Sequence, residues 1–161
     1  MIFISGNLRA SGSLVALAIG DAMGAPLEGS AQPSVWVTEM LPGGLHFRKR
    51  GQITDDTLQA MAVAESLVVC GKFDQKDLIS RLISGYEMRP EWYGPTSSAF
   101  FDLVKSGTLP QRAAKMVHKR QHGSRSNGSV MRGFPLGIRY PSSKVYEVSL
   151  ACSQVSHFDP V

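Results

Sequence analysis

The sequence predicts an all-α protein. Apolar residues recur at helical spacing in one segment after another, while the strict alternation typical of half-buried strands is scarce. The connections between these segments are short or rich in Gly, Pro and Ser. The 161 residues suffice for a single domain spanning 1–161, which buries on the order of two-thirds of its unfolded surface. Nothing in the chain repeats, falls to low complexity or reads as a linker to a second domain.

Residues 13–19 form an apolar run after Arg9, too short for a secretion signal and soon interrupted by Asp21 and Glu28, so it reads as a buried helix. No run approaches the roughly 20 apolar residues of a membrane span, and a soluble protein is expected. The clearest helix begins at Thr54, which can cap it. Asp55 and Asp56 occupy the first turn, where carboxylates suit the helix dipole, and Leu58, Met61, Ala62, Ala64 and Leu67 supply the buried stripe. Gly71 ends it. Further helices are predicted over 75 to about 86, 96 to about 106, 110 to about 120 and 143 to about 156. Two irregular stretches remain, 29–53 and 121–128, and loops of that length in a compact domain are often functional.

Cys70 and Cys152, the two cysteines, fall in apolar helical stretches where buried thiols are common, which favours a reducing, cytoplasmic setting. The net charge of +4 comes largely from Arg48, Lys49 and Arg50 and from the stretch 112–125. Such an excess favours phosphate-bearing partners. Nucleic acid is not expected, because the basic stretch lacks interleaved aromatics.

Three segments, each where a loop meets a helix, carry candidate chemistry. In Gly20-Asp21-Ala22-Met23-Gly24-Ala25-Pro26-Leu27-Glu28, the glycines permit close backbone approach, Pro26 blocks helix continuation and Glu28 is left able to point into a cleft. Thr54-Asp55-Asp56-Thr57 offers several hard oxygens within one turn, which is the chemistry Mg²⁺ and Mn²⁺ prefer. Successive helical positions diverge by about 100°, so Asp55 and Asp56 can serve two ions more readily than one. Ser124 to Arg132, with Ser126, Asn127, Gly128 and Ser129 at its centre, presents backbone N–H groups to an anion, and Arg125 or Arg132 can add charge-assisted bonds to a diphosphate. A further segment, Ser156-His157-Phe158-Asp159-Pro160, closes the chain. Taken singly, each has an ordinary structural explanation: a solvated glutamate, a helix cap, an Asn-Gly turn and a surface histidine.

Taken together and in this order, the segments resemble the ADP-ribosylglycohydrolase family, which includes bacterial enzymes that reactivate ADP-ribosylated dinitrogenase reductase. Gly20 to Glu28 matches its Gly-Asp-Ala-x-Gly-x-Pro-x-Glu opening, Thr54 to Thr57 its Thr-Asp-Asp-Thr, Asn127 to Arg132 its Asn-Gly-x-x-Met-Arg helix start, and Ser156-His157 its Ser/Thr-His segment. The resemblance implies a compact orthogonal multi-helix fold. It also implies metal-dependent hydrolysis of the glycosidic bond between ADP-ribose and a protein side chain or small molecule. By the same resemblance Thr54, Asp55 and Asp56 bind a Mg²⁺ or Mn²⁺ pair, Glu28 and Asp56 are the catalytic candidates, and Ser126, Asn127, Gly128, Ser129 and His157 contact the ADP-ribose.

Members of that family are longer, and their second half carries an Asp-x-Asp-Thr segment that completes the metal site. This chain resembles the N-terminal half alone, so its metal site is expected to be incomplete and its helices to expose apolar surface. The expectation is a homo-oligomer or a split enzyme completed by a separate C-terminal chain. The alternative is a catalytically silent relic that binds ADP-ribose or a nucleotide, or serves structurally.

Overall fold

The computed structural model describes residues 6–29 and 36–159. Among the described residues seven α-helices follow one another: α1 (Gly6–Gly24), α2 (Asp55–Cys70), α3 (Gln75–Met88), α4 (Pro95–Lys105), α5 (Pro110–Arg120), α6 (Phe134–Arg139) and α7 (Ser142–Gln154). Among the described residues there is no strand beyond an isolated antiparallel bridge between Gly43 and Arg48. The all-α class is therefore correct. The helices expected from 54, 75, 96, 110 and 143 lie within a residue or two of the observed starts, and α6 is an addition. The chain divides into two compact units, one ending at Thr57 and the other beginning at Leu58.

In the second unit, the helix starts follow from local chemistry. Asp74 caps α3 by accepting from the N–H groups of Lys76 (2.9 Å) and Asp77 (3.0 Å). Pro95 and Pro110 open α4 and α5 at the position where a missing N–H costs nothing. Their apolar faces meet in a core of Val63, Leu67, Leu78, Leu82, Phe100, Phe101, Val117, Leu136 and Val155, all buried. Tyr86 stacks on Phe101 with ring centroids 5.2 Å apart, and Tyr93 meets both edge-on. Gly71 ends α2 at φ +69°, the left-handed conformation a helix stop requires.

Three expectations need correction. The buried stripe of α2 is rotated from the predicted one: Gln59, Ala60, Val63 and Ser66 are buried along with Ala62 and Leu67, whereas Met61 is exposed and Leu58 and Ala64 are half-buried. The apolar spacing admitted both faces, and packing selected between them. Second, the helix at 13–19 is not buried. It extends over the whole of α1 and leaves Leu8, Val15 and Ile19 exposed. Third, the 20 residues Leu8–Leu27 are, by length and composition alone, apolar enough to cross a bilayer. Isolated polar residues such as Ser13 and Asp21 do not lower the average below that level. Of the two cysteines, Cys152 is buried as expected, while Cys70, at the last position of α2, is half-buried.

Candidate functional site

The first unit gathers acids. After Gly24, Pro26 ends α1 in a single 3-10 turn (Ala25–Leu27), which leaves Glu28 extended and half-exposed. Asp21, on the last turns of α1, accepts four hydrogen bonds at the start of α2. These come from the Thr54 N–H (2.8 Å) and hydroxyl (2.7 Å) and from the Thr57 N–H (3.2 Å) and hydroxyl (2.5 Å). Its carboxylate thus satisfies the free amides of the helix start, a task for which Thr54 offers Asp56 only a long 3.4 Å contact. Thr54 and Asp55 are buried, and Asp56 is half-buried.

Asp21, Glu28 and Asp56 line one open cleft of about 390 Å³, walled elsewhere by Leu17, Gly20, Gly24 and Ala25. The Asp56 carboxyl is held above the usual carboxylate range, first by burial and then by the negative charges of Asp21 and Glu28, against a smaller opposing pull from the Thr54 hydroxyl. Such crowding of hard oxygen donors suits a hard divalent cation, which relieves the repulsion. Among the described residues no three His, Cys, Asp or Glu converge into a finished cage.

Arg48, counted from sequence in a basic patch that favours phosphate-bearing partners, is buried, and its Nη2 donates to Glu28 Oε2 at 3.0 Å. The Gly43–Arg48 turn reaches Glu28 because Gly44, at φ +74°, lies against the backbone of Pro26, where an added Cβ would stand 2.6 Å from the Pro26 carbonyl oxygen. Neither Arg48 nor Asp21 was singled out from sequence. A lone aspartate inside an otherwise apolar helical run was the available signal for Asp21, and nothing local marked Arg48. Part of the 29–53 stretch, residues 30–35, lies outside the described residues.

The second unit holds the other candidates. The Asn-Gly segment is not a helix start but a pair of turns, in which the Asn127 carbonyl accepts from Val130 (2.8 Å) and Met131 (3.3 Å), and α6 begins only at Phe134. Pro135, near the start of α6, lacks an N–H and suits a first helical turn rather than an interior. Ser126 and Asn127 are exposed, whereas Gly128 and Ser129 are buried, the Ser129 hydroxyl accepting from Ser153 at 2.8 Å. His157 is buried rather than superficial, with Nε2 2.8 Å from the Ser126 hydroxyl and Nδ1 2.9 Å from that of Ser156. Burial, followed by the charge of Arg132, lowers its pKa from 6.5 to about 4. Arg132, read from sequence as a ligand for diphosphate, has no exposed surface. It donates to Gln59 Oε1 (3.0 Å), the Cys152 carbonyl (2.9 Å) and the Ser156 hydroxyl (2.9 Å). Arg125, largely exposed, stands 3.8 Å from Asp159.

Residues 6–161 match the ADP-ribosylglycohydrolase family. The chain is 40% identical to the ADP-ribosylarginine hydrolase Tri1 of Pseudomonas putida (strain GB-1), over 92% of its own length and 41% of that protein's. It is 30% identical to the ADP-ribosyl-[dinitrogen reductase] glycohydrolase of Rhodospirillum rubrum, over 81% of its own length and 44% of that one's. A solved structure described as an ADP-ribosylglycohydrolase-related protein complex superimposes with a TM-score of 0.74 at 30% identity, covering 94% of this chain and 50% of its counterpart. The chain thus spans half or less of the length of these relatives.

Proposed function

The chain belongs to the ADP-ribosylglycohydrolase family, and from that premise we propose that it carries part of the machinery for hydrolysing the bond between ADP-ribose and a protein side chain or small molecule. The observation that carries this reading is the cleft where Asp21, Glu28 and Asp56 crowd together, on the segments that match the family's metal and acid motifs. Thr54, Asp55 and Asp56 would hold Mg²⁺ or Mn²⁺. When bound, such an ion polarises oxygens and makes its water a better nucleophile near neutral pH. Asp21 keeps Thr54 and the first turn of α2 in place beneath those ligands. Glu28, clamped through one oxygen by Arg48, accepts the proton of the attacking water as its oxygen bonds to the anomeric carbon. The bond to the leaving group breaks, its electron pair stays with the leaving atom, and that atom takes up a proton from solvent water. Ser126, Asn127, Gly128, Ser129 and His157 are assigned to contact with the ADP-ribose.

In this reading activity needs further protein, from a second copy or a separate chain bearing the remaining metal ligands. Exposed Leu8, Val15 and Ile19 on α1 and Val68 and Val69 on α2 support it. Solution mass tests this point, and a stable, soluble monomer counts against it.

The decisive experiment combines Mn²⁺ calorimetry with an assay of ADP-ribose release from ADP-ribosylated arginine and serine peptides. Wild type is expected to bind Mn²⁺ and Asp56→Asn to bind it at least about tenfold more weakly, the loss of one charged ligand being worth 1.4 kcal/mol or more. Equal Mn²⁺ binding by both proteins overturns the metal assignment. Metal-independent binding of ADP-ribose without release favours the alternative of a catalytically silent binding module.

A further inference from the structure

We propose that Arg132 is a positioning residue that acts through Ser156 to hold His157 as the Nε2–H tautomer, and so leaves the Ser126 hydroxyl proton free to be given to a ligand.

The argument is one of hydrogen-bond direction. A guanidinium has donors and no acceptor. The Arg132 Nη2 lies 2.9 Å from the Ser156 hydroxyl, which therefore accepts from it. Ser156 is fully buried, so its own proton must find a partner nearby. His157 Nδ1 stands 2.9 Å away. With the proton directed there, Nδ1 is an acceptor and the ring carries its hydrogen on Nε2. That nitrogen is 2.8 Å from Ser126 and donates to it. Ser126 is exposed, and its hydroxyl, already accepting, turns its remaining proton outward. A group that only accepts, such as a phosphate oxygen, is what this arrangement suits.

Two further contacts hold the relay in register. Arg132 Nη1 reaches the Gly128 carbonyl at 3.5 Å, and Gly128 packs so closely that a Cβ there would stand 2.9 Å from Ser97 Oγ and 3.3 Å from His157 Cε1. The tautomer does not depend on the functional reading; only the ligand of Ser126 rests on it.

The test is nitrogen NMR of the full chain labelled at histidine, which reports ring tautomers directly. Wild type at pH 7 should show His157 as Nε2–H alone. Ser156→Ala, which leaves Arg132 in place, should give a mixture of tautomers, and Ser156→Thr should restore the single form. A wild-type Nδ1–H ring, or an unchanged ring in Ser156→Ala, overturns the relay. ADP-ribose is then added to wild type. If the His157 signals do not move while the tautomer is as stated, the relay stands and the reading of this loop as an ADP-ribose contact fails.

Discussion

The acidic cleft of the first unit and the arginine network of the second treat charge in opposite ways. Around Asp56 like charges crowd in an open cleft, and its carboxyl is held above its ordinary range. Around Arg132 a single buried cation is met by acceptors on Gln59, Cys152 and Ser156, and the neighbouring imidazole is kept neutral. The first arrangement keeps a cost that a cation would relieve. The second has spent the hydrogen bonds of both Arg132 Nη atoms internally, leaving Nε as its one buried donor without a partner, and is built to stay closed. Residues that seek a ligand and residues that shape a site can thus be told apart by whether the fold satisfies them.

The sharpest way to break this contrast is Arg132→Met. Removing the cation orphans three buried acceptors, so a loss of about 3–5 kcal/mol in unfolding free energy is expected by chemical denaturation. A loss under about 1 kcal/mol would mean the network is not closed.

The next effect is in pH. The unfolded chain takes a proton on His157 below about 6.5, while the folded chain takes it only near 4. The unfolded state therefore binds more protons in that window, and stability falls as pH drops through it, by on the order of 3 kcal/mol. Melting curves of His157→Gln should lack this component, visible as a difference in slope from wild type between those two pH values.

Asp21→Asn should cost about 2 kcal/mol, because a carboxylate that accepts four bonds is replaced by an amide with a single accepting oxygen. Denaturant midpoints measure it. The smallest effect has the opposite sign. In metal-free buffer Asp56→Asn should raise stability by about 0.5 kcal/mol through relief of repulsion, and it should abolish the stabilisation that Mn²⁺ confers on wild type. Destabilisation without metal would remove the contrast between the two regions.

Much of the chain was legible without coordinates. Helical spacing and the punctuation of Pro110 and Gly71 located five helices, because caps and breakers act over a few residues and are written locally. Thr54, Asp55 and Asp56 stood out because adjacent hard oxygens at a helix start carry a chemical meaning of their own, and Glu28 because Pro26 leaves it on an irregular segment. The face that α2 buries, the inward turn of Arg48 and Arg132, the burial of His157 and the four bonds to Asp21 did not. Most of these contacts join residues 20 or more positions apart, and composition is silent on such pairings.

What the amino-acid order by itself determined is the helical class, the placing of most helix ends and the set of acidic and loop residues at which chemistry is concentrated, all consequences of short-range sterics and hydrogen bonding. Only the tertiary structure decided which charges are buried, which are paired and which are left facing one another. Desolvation and Coulomb energy depend on neighbours in space, and the chain acquires those neighbours only when it folds.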